Sequence, residues 1–385
     1  MQKLYDFYAE NLPLSTRQAQ PKPADSFVVL MTGSTGSLGS YILDSLVREP
    51  RVSRIYCLNR GHSGLERQKK SQATKGLRPL SEKVQCLDVD LSKPYFGLST
   101  QVYTKLLREV TTVIHSAWRV DFNLSIDSFK SHIGIVRSFI DFSAHSSFGA
   151  HIFFVSSLSA VSNWHSATGQ KDNIREQIYE DWRIPEAIGY GNRSSDVGVP
   201  AVVCRVGQVA GPTAAAGIWP KQEWLPSLIA SSKHLGKLPS SLGQMDMVDW
   251  VPVDVAAQSI AELATGSTIS ETSAGVGVYH VVNPRQTTWA SLVPTIVRHL
   301  DTGNTIKVVQ LKEWVSALRE SAPVTEDISQ NPAIKLLDFF EGLASKIGDP
   351  VRLDTKEAVG RSPALASLGP IQDGMVENWM RQWDF

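Results

Sequence analysis

The sequence predicts an α/β protein with a doubly wound parallel sheet, and two observations lead to this fold class. Apolar stretches that suit buried strands alternate with helical segments from Phe27 onward. The strand candidates are 28–31, 54–58, 84–87, 112–115, 151–155, 201–205 and 278–282. Such alternation is typical of parallel strands joined by right-handed helical crossovers. A glycine-rich turn follows the first strand. Together these features predict a Rossmann-type sheet with a smaller, mainly helical C-terminal domain.

The turn after the first strand has the pattern of a phosphate-binding site, and we call residues 33–39 the phosphate turn. Glycines at 33, 36 and 39 allow a sharp turn, a close approach to a pyrophosphate and tight packing of the following helix. The helix N-terminus adds free N–H groups and partial positive charge. The spacing is GxxGxxG, so an ordinary strand–helix turn is the alternative. The predicted cofactor contacts here are Thr32, Gly33, Thr35, Gly36, Ser37, Leu38 and Gly39.

The end of the second strand predicts which dinucleotide binds. The apolar run 55–58 ends in Asn59 and Arg60, where a site that prefers NAD usually has an acidic residue on the ribose hydroxyls. An arginine suits a 2′-phosphate, because the guanidinium can form two parallel hydrogen bonds to it. We therefore predict NADPH as the cofactor and assign Asn59 and Arg60 to its site. Arg60 is the main discriminator, assisted by Arg67, Lys69 or Lys70.

Later strand ends supply the remaining predicted cofactor contacts. Asp90 and Leu91 follow the third strand, where Asp90 is placed to meet the adenine edge; an aspartate that caps the next element is the alternative. Ser116 and Ala117 follow the fourth strand and leave room for the nicotinamide ribose, because ligands of open α/β sheets bind at the carboxyl ends of strands. Val206 follows the sixth predicted strand and completes the set.

Two hydroxyl side chains are the candidate catalytic groups. Ser157 ends the fifth strand, and Tyr190 follows a polar loop. Both hydroxyls can donate to a carbonyl oxygen as hydride reaches the carbon, and so stabilise the developing oxyanion. A buried structural tyrosine is the alternative for Tyr190.

The residues after Tyr190 depart from the usual Tyr-x-x-x-Lys arrangement. A lysine four residues on would share the helix face of the tyrosine and lower its pKa. Position 194 is serine, and no lysine lies between Lys171 and Lys221. Residues 191–198 are also too few for a helical crossover to the next strand. Either the protein lacks this helix, or the sequence as given omits a segment after Tyr190.

Composition and charge exclude several function classes. Lys plus Arg and Asp plus Glu both number 38, so we predict no nucleic-acid partner. No apolar run has the length of a membrane span, so we predict no membrane partner. The three cysteines and nine histidines show neither pairing nor metal-ligand spacing. We therefore expect no metal ion and a reducing, cytoplasmic setting.

The chain divides into three predicted parts. Residues 1–25 are an N-terminal segment with a polar, proline-bearing linker. Residues 26–215 and 246–286 form the cofactor domain. Residues 216–245 and 287–385 form the substrate domain, with helical patterns over 289–300, 311–320, 333–346 and 373–383. We expect the chain to be a monomer.

Six stretches together resemble the thioester reductase domain that ends many nonribosomal peptide synthetases and adenylate-forming (carboxylic acid) reductases. They are 32–39 (TGSTGSLG), 114–123 (IHSAWRVDFN), 154–157 (FVSS), 189–191 (GYG), 204–212 (CRVGQVAGP) and 249–254 (DWVPVD). The resemblance covers nearly the whole chain, and 56–60 (YCLNR) is most similar to the fungal adenylate-forming reductases.

This resemblance implies an extended short-chain dehydrogenase that uses NADPH to release an acyl thioester as an aldehyde, sometimes carried on to the alcohol. The thioester would be attached to the phosphopantetheine arm of a carrier domain, upstream in the same polypeptide. The family's catalytic Thr/Ser and Tyr correspond to Ser157 and Tyr190, and its lysine has no counterpart.

Two functions of other classes stay open at this point. One is a redox-inactive relative that catalyses Dieckmann-type cyclisation and release, which the missing lysine favours and the retained Tyr190 disfavours. The other is a non-catalytic domain that binds the dinucleotide.

Overall fold

The computed structural model describes residues 7–8, 10, 12, 20, 26–118, 130–179, 184, 199–266, 276–300, 305–325, 328–345 and 351–384. The strands in this part of the chain are β1 (Phe27–Thr32), β2 (Val52–Arg60), β3 (Val84–Val89), β4 (Thr112–His115), β5 (His151–Ser157), β6 (Ala201–Val206), β7 (Val209–Ala210), β8 (Lys237–Pro239), β9 (Met247–Val248), β10 (Val251–Pro252), β11 (Val276–Val281), β12 (Thr287–Thr288) and β13 (Lys307–Val309).

The α-helices of the described residues are α1 (Ser37–Arg48), α2 (Gly64–Thr74), α3 (Thr100–Glu109), α4 (Lys130–His145), α5 (Trp164–Thr168), α6 (Trp224–Leu235), α7 (Val253–Thr265), α8 (Trp289–Leu300), α9 (Leu311–Ser321), α10 (Leu337–Ser345), α11 (Lys356–Arg361), α12 (Pro363–Ser367) and α13 (Asp373–Trp383). Among these helices, none combines the length and the apolar composition that crossing a membrane requires.

Seven strands form one sheet in the order β11-β6-β5-β4-β1-β2-β3. Every neighbouring pair in it is parallel. This is the doubly wound sheet that the sequence predicts, and each predicted strand overlaps an observed one. The strand order reverses between β1 and β4, so the crevice at the carboxyl ends of these two strands is the usual ligand position of such sheets.

The chain folds into two compact units. Unit 1 comprises Met1–Gly207, Ala256–Val281 and Leu353–Ala366, and unit 2 comprises Gln208–Val255, Val282–Arg352 and Ser367–Phe385. The seven-stranded sheet therefore belongs wholly to unit 1.

These units have different bounds from the predicted domains, for two reasons. Residues 208–215 belong to unit 2, where α13 holds them: the Asn378 and Trp379 side chains each donate to the Pro212 carbonyl. Residues 353–366 belong to unit 1, where the amide groups of Glu357 and Ala358 donate to the carboxylate of Glu176.

The core of unit 1 lies between the sheet and its helices. Phe96 is 2% exposed and packs on Phe139 and Phe142 of α4, with ring centroids 5.2 and 5.8 Å away. Apolar residues of β1, β2, β4 and β5 join this cluster. Burying each such aromatic side chain contributes roughly 2–3 kcal/mol. The packing holds the strand ends at fixed positions.

Unit 2 has a core that is rich in tryptophan. The ring of Trp219 lies 5.0 Å from that of Trp379 and 5.3 Å from that of Trp383, measured between centroids. Trp383 also donates its indole N–H to the Trp219 carbonyl over 3.1 Å. The last helix, α13, is therefore an integral part of this core.

Candidate active site and cofactor site

The phosphate turn is packed so closely that its glycines have no room for a side chain. Gly33 has a φ of +76°, and a Cβ added there would lie 2.8 Å from the carbonyl group of Ser116. A Cβ added at Gly39 would lie 2.0 Å from the Gly33 carbonyl oxygen. Both contacts are with backbone, which cannot move aside as a side chain can. The turn therefore presses against the residues that follow β4.

The start of α1 suits an anion. Gly36 precedes the helix and has no side chain to cap it, and the first turn contains no acidic residue. The first N–H groups of a helix have no partner within the helix, and the helix dipole adds partial positive charge there. These backbone features fit the pyrophosphate of a dinucleotide.

Two side chains of α2 orient the carbonyl groups of the turn. Gln68 Nε2 donates to the Ser34 carbonyl oxygen and Ser71 Oγ donates to the Thr35 carbonyl oxygen, each over 3.0 Å. In a planar trans peptide the C=O and the N–H point in opposite directions. Holding these carbonyls toward α2 therefore turns the N–H groups of the same peptides away from α2. The sequence analysis missed Gln68 and Ser71, whose signal is their i, i+3 spacing on one face of α2.

Asn59 supports the turn rather than offering a free side chain to the cofactor. Its side chain is buried, accepts a hydrogen bond from Ser34 Oγ over 3.0 Å and donates to the Gly64 carbonyl over 3.3 Å. Arg60, the next residue, is exposed at the end of β2. Arg67 donates a hydrogen bond from Nη2 to the Arg60 carbonyl. Two arginines therefore meet at this strand end.

The structure gives Asp90 and Leu91 roles within the fold. The Asp90 carboxylate accepts hydrogen bonds from the amide and the hydroxyl of Ser92, and these bonds lower the pKa of Asp90. These bonds close a local turn, whereas the residue that precedes the short helix Pro94–Gly97 is Lys93, which makes no side-chain capping bond. Leu91 is 5% exposed and packs in the core with Phe96, so its predicted contact with the cofactor is limited to its backbone.

Thr32 and His115 join the phosphate turn to the end of β4. Thr32 Oγ1 lies 2.7 Å from His115 Nδ1 and accepts a hydrogen bond from the Ala117 amide over 3.3 Å. Thr32 is completely buried, so its side chain fixes the Ser116–Ala117 turn instead of reaching a ligand. Burial, reinforced by the charge of nearby His132, lowers the pKa of His115 to about 3 and keeps it neutral.

Ser157 ends β5 with an exposed hydroxyl. Its Oγ accepts a hydrogen bond from the Ser159 amide over 3.2 Å and lies 2.8 Å from Ser159 Oγ. Val206, the register partner of Ser157 on β6, has a buried side chain, so only its backbone is available to the cofactor. Tyr190 lies outside the described residues.

The structure thus brings most of the predicted residues to one edge of the sheet. Residues 32–39, 116–117, 157 and 206 all stand at the carboxyl ends of β1, β4, β5 and β6, which are consecutive in the sheet. Arg60 stands at the same end of β2.

Known proteins are similar to this chain in sequence or in fold. An NAD-binding family model described as "Male sterility protein" matches residues 31–188. A carboxylic acid reductase of Neurospora crassa is 38% identical over the whole chain, which spans 38% of that relative. The adenylate-forming reductase Nps11 of Serpula lacrymans var. lacrymans is 32% identical over 98% of the chain, which spans 37% of that relative. The chain therefore spans about two fifths of the length of these relatives.

Solved structures with 18–21% identity share the fold. The terminal R domain of the myxalamid PKS-NRPS pathway matches with a TM-score of 0.78. The match covers 98% of this chain and 96% of the R-domain chain. A thiolation-reductase di-domain from an archaeal nonribosomal peptide synthetase matches with a TM-score of 0.69. The match covers 99% of this chain and 80% of the di-domain chain.

Proposed function

We propose that this chain is an NADPH-dependent thioester reductase, because residues 31–188 match the male sterility protein family model and the chain is similar to part of a carboxylic acid reductase and of an adenylate-forming reductase. Its substrate is an acyl thioester on the phosphopantetheine arm of a carrier domain, and its product is the aldehyde. The observation that carries the proposal is the sheet edge: Gly33 lies against Ser116 at the end of β4, and the exposed Ser157 ends the adjacent strand β5.

The dinucleotide is bound by backbone N–H groups and by two arginine side chains. The N–H groups of the phosphate turn hold the pyrophosphate, and Arg60 and Arg67 hold the 2′-phosphate. Two guanidinium groups near one strand end favour a phosphorylated ribose over a free one. Bound NADPH supplies the hydride for the carbonyl carbon.

Ser157 and Tyr190 act on the carbonyl oxygen. The Ser159 amide donates to Ser157 Oγ, and the Ser159 hydroxyl lies 2.8 Å from it. When the Ser159 hydroxyl donates this second bond, the Ser157 proton is free to be donated to the substrate. Tyr190 gives its proton to the developing oxyanion. The resulting thiohemiacetal collapses to the aldehyde and the thiol of the carrier arm.

The test follows NADPH oxidation and aldehyde formation with an acyl-phosphopantetheine thioester as substrate. Ser157→Ala and Tyr190→Phe should each lower kcat by roughly 10²–10⁴-fold, which is the usual contribution of acid catalysis and oxyanion stabilisation. Ser162→Ala is the matched control, because the Ser162 hydroxyl donates to the Ser159 carbonyl, rather than to Ser157, and is exposed on the same turn. Thioester turnover without NADPH oxidation would contradict the proposal.

Dieckmann-type cyclisation is the second candidate, and the absence of a lysine between Tyr190 and Lys221 favours it. The alignment with the Neurospora relative spans 401 positions, whereas this chain has 385 residues, so part of that relative has no counterpart here. An intact mass and a peptide map across Tyr190 to Arg205 separate the two functions. A mass above 42.3 kDa by about 1–2 kDa, enough for an average helix, supports the reductase. A mass that agrees with the sequence favours the cyclase.

A further inference from the structure

Two cysteines lie side by side on the outermost strands of the seven-stranded sheet, and we call Cys57 and Cys86 the thiol pair. β3 is the last strand in the sheet order, and β2 lies beside it. Cys57 of β2 and Cys86 of β3 are register partners in this parallel pair. The side chains of register partners point to the same face of a sheet. Strand pairing therefore brings together two thiols that α2 separates in the sequence.

The two thiols are hydrogen-bonded to each other, but their surroundings differ. Cys57 is completely buried, whereas Cys86 is partly exposed. The bond with Cys86, reinforced by burial, raises the pKa of Cys57 well above its ordinary value. The same bond lowers the pKa of Cys86, although burial and the charge of Asp88 oppose this. Cys86 is therefore the thiol that loses its proton first, and the thiolate is the reactive form of cysteine.

The thiol pair contacts the side chains that support the phosphate turn. Cys57 is hydrogen-bonded to Ser34, and Cys86 is hydrogen-bonded to Asn59. Ser34 Oγ in turn donates to Asn59 Oδ1 over 3.0 Å. The four side chains thus form a closed ring of hydrogen bonds. Because Ser34 belongs to the phosphate turn, a chemical change at either sulfur acts on the turn through one intervening contact.

The same face of β2 and β3 also holds the start of α2. The Gly64 amide donates to Asp88 Oδ1 over 2.8 Å. A Cβ built on Gly64 would lie 2.6 Å from both Asn59 Cβ and Asp88 Oδ1. Close-packed interiors transmit a displacement instead of absorbing it. A movement of β3 therefore reaches α2, whose Gln68 holds the Ser34 carbonyl over 3.0 Å.

We propose that the thiol pair is an oxidation site at which a hydroperoxide forms a disulfide that weakens dinucleotide binding. The Cys86 thiolate attacks one oxygen of hydrogen peroxide, the O–O bond breaks, and the leaving hydroxide takes up the proton that Cys86 released. The Cys57 sulfur then attacks the sulfur of the Cys86 sulfenic acid, the S–O bond breaks, and the hydroxyl leaves as water with the Cys57 proton. Two thiols are oxidised to one disulfide, and the peroxide is reduced to two molecules of water.

The geometry fits this disulfide and its effect. Neighbouring strands lie about 4.8 Å apart, within the range of roughly 4.4–6.8 Å that separates the Cα atoms of disulfide-bonded cysteines. β3 is the outermost strand, so it can approach β2 without displacing a strand on its other side. A disulfide sulfur has neither a proton to donate nor a negative charge, so the bonds with Ser34 and Asn59 weaken. The inference rests on dinucleotide binding at the phosphate turn and not on the reaction that follows.

The experiment treats the full chain with hydrogen peroxide and compares it with the reduced chain. A peptide map made without reduction should contain the Cys57 and Cys86 peptides as a linked pair, lighter by two hydrogen atoms than the free peptides together. The Kd for NADPH should rise at least about tenfold, as expected from the loss of one or two hydrogen bonds behind the turn. Amide exchange in residues 33–39 should accelerate at least about tenfold. Dithiothreitol should reverse all three changes, because it reduces a disulfide by exchange.

Two variants remove one sulfur each and keep a group that can form hydrogen bonds. Cys86→Ser should bind NADPH within about twofold of the reduced wild type and should not respond to peroxide, because a hydroxyl is not oxidised. In Cys57→Ser, oxidation should stop at the sulfenic acid of Cys86, which dimedone traps, and no linked pair should form. Cys204→Ala is the matched control. Cys204 is completely buried on β6, and this variant should respond to peroxide as the wild type does.

Other results overturn the inference. Two free thiols after peroxide treatment, or a linked pair with unchanged NADPH affinity and unchanged exchange, would mean that the cysteines are structural. Loss of affinity in peroxide-treated Cys86→Ser would mean that another residue is responsible, and loss of circular dichroism in the oxidised wild type would mean general unfolding. If the reduced wild type does not bind NADPH, the proposed cofactor fails, whereas exchange in residues 33–39 still decides whether the disulfide acts on the turn. If Cys86→Ser does not fold, Cys57→Ser supplies the comparison.

Discussion

The phosphate turn and the group of Glu176, Arg205 and His280, which we call the edge cluster, are both closely packed parts of unit 1, but the chain specifies them in opposite ways. The turn is a run of consecutive residues whose shape depends on backbone contacts and on the absence of side chains at Gly33 and Gly39. The edge cluster joins Glu176, Arg205 and His280 from three distant segments through charged and polar side chains. Local backbone geometry leaves a pattern in the sequence. Long-range polar bonding leaves none.

The largest effect is expected from a substitution that disrupts the phosphate turn. Gly39→Ala would bring a Cβ to 2.0 Å from the Gly33 carbonyl oxygen, so the turn must open. We expect a loss of about 3 kcal/mol in the free energy of unfolding and at least about 100-fold weaker NADPH binding. Thermal unfolding measures the loss of stability, and a titration followed by NADPH fluorescence measures the change in affinity.

Gly374→Ala is the control for this variant. It lies in α13, and no described atom is within 4 Å of a Cβ built there. Because alanine favours helix over glycine, this change should stabilise the protein slightly. Wild-type NADPH affinity in Gly39→Ala would show that the turn does not need its close packing.

The second prediction concerns the pH dependence of the edge cluster. Burial, and then the charge of Arg205, lowers the pKa of His280 to about 3, below its ordinary 6.5. The stability that His280 contributes is therefore complete above pH 6.5 and lost as the pH falls. Burial raises the pKa of Glu176 from 4.5 to about 7, so its contribution is complete below pH 4.5 and lost as the pH rises to 7.

The two contributions oppose each other between pH 7 and pH 5, each by roughly 2 kcal/mol. Relative to wild type, His280→Gln should gain stability on acidification over this range, and Glu176→Gln should lose it. Urea unfolding at pH 7, 6 and 5 measures the slopes. Equal slopes in the three proteins would show that these groups are not held as described.

The third prediction sharpens the cofactor assignment beside the phosphate turn. Arg60→Ala should weaken NADPH binding about tenfold, by removing a charge-assisted hydrogen bond to the 2′-phosphate, and leave NADH binding within about twofold. Calorimetric titration with both cofactors measures the ratio. Equal losses for NADPH and NADH would refute the role of Arg60 as discriminator.

The smallest expected effect tests whether side chains also matter to the turn. Gln68→Ala removes the donor to the Ser34 carbonyl, and we expect about threefold weaker NADPH binding, in line with a single neutral hydrogen bond. Thr74→Ala, an exposed change at the end of the same helix, is the control. If both variants bind equally well, the backbone alone sets the turn.

Sequence reasoning succeeded where the signal is local. The strands, the phosphate turn and the α8 and α13 helices follow from apolar periodicity and from glycine spacing. It gives less where the partners of a residue are distant in the chain. Leu91 lies at a strand end, but the short turn at Pro94–Gly97 returns the chain so that the Asp90 amide donates to the Phe96 carbonyl, and Leu91 is drawn into the core.

The same reason explains why the bounds of the two units and several polar partners are not visible in the sequence. Nothing near residues 208–215 shows that Asn378 will bond to their carbonyls, and nothing near Glu176 shows that it will accept the Glu357 amide. The position of Asn59 at a strand end is visible in the sequence, but its hydrogen bond to Ser34 spans a loop and a helix and is not. Its contact with the cofactor stays a prediction. The role of Tyr190 stays a prediction.

The tryptophan core of unit 2 has a consequence for spectroscopy. Of the ten tryptophans in the chain, most belong to unit 2: Trp219, Trp224, Trp250, Trp289, Trp314, Trp379 and Trp383. All of these except Trp224 are almost fully buried, so their emission will be at short wavelength, and rings about 5 Å apart will exchange excitation energy. Intrinsic fluorescence of this protein therefore reports mainly on the melting of unit 2. A shift in emission is a signal from the half of the molecule that does not carry the sheet.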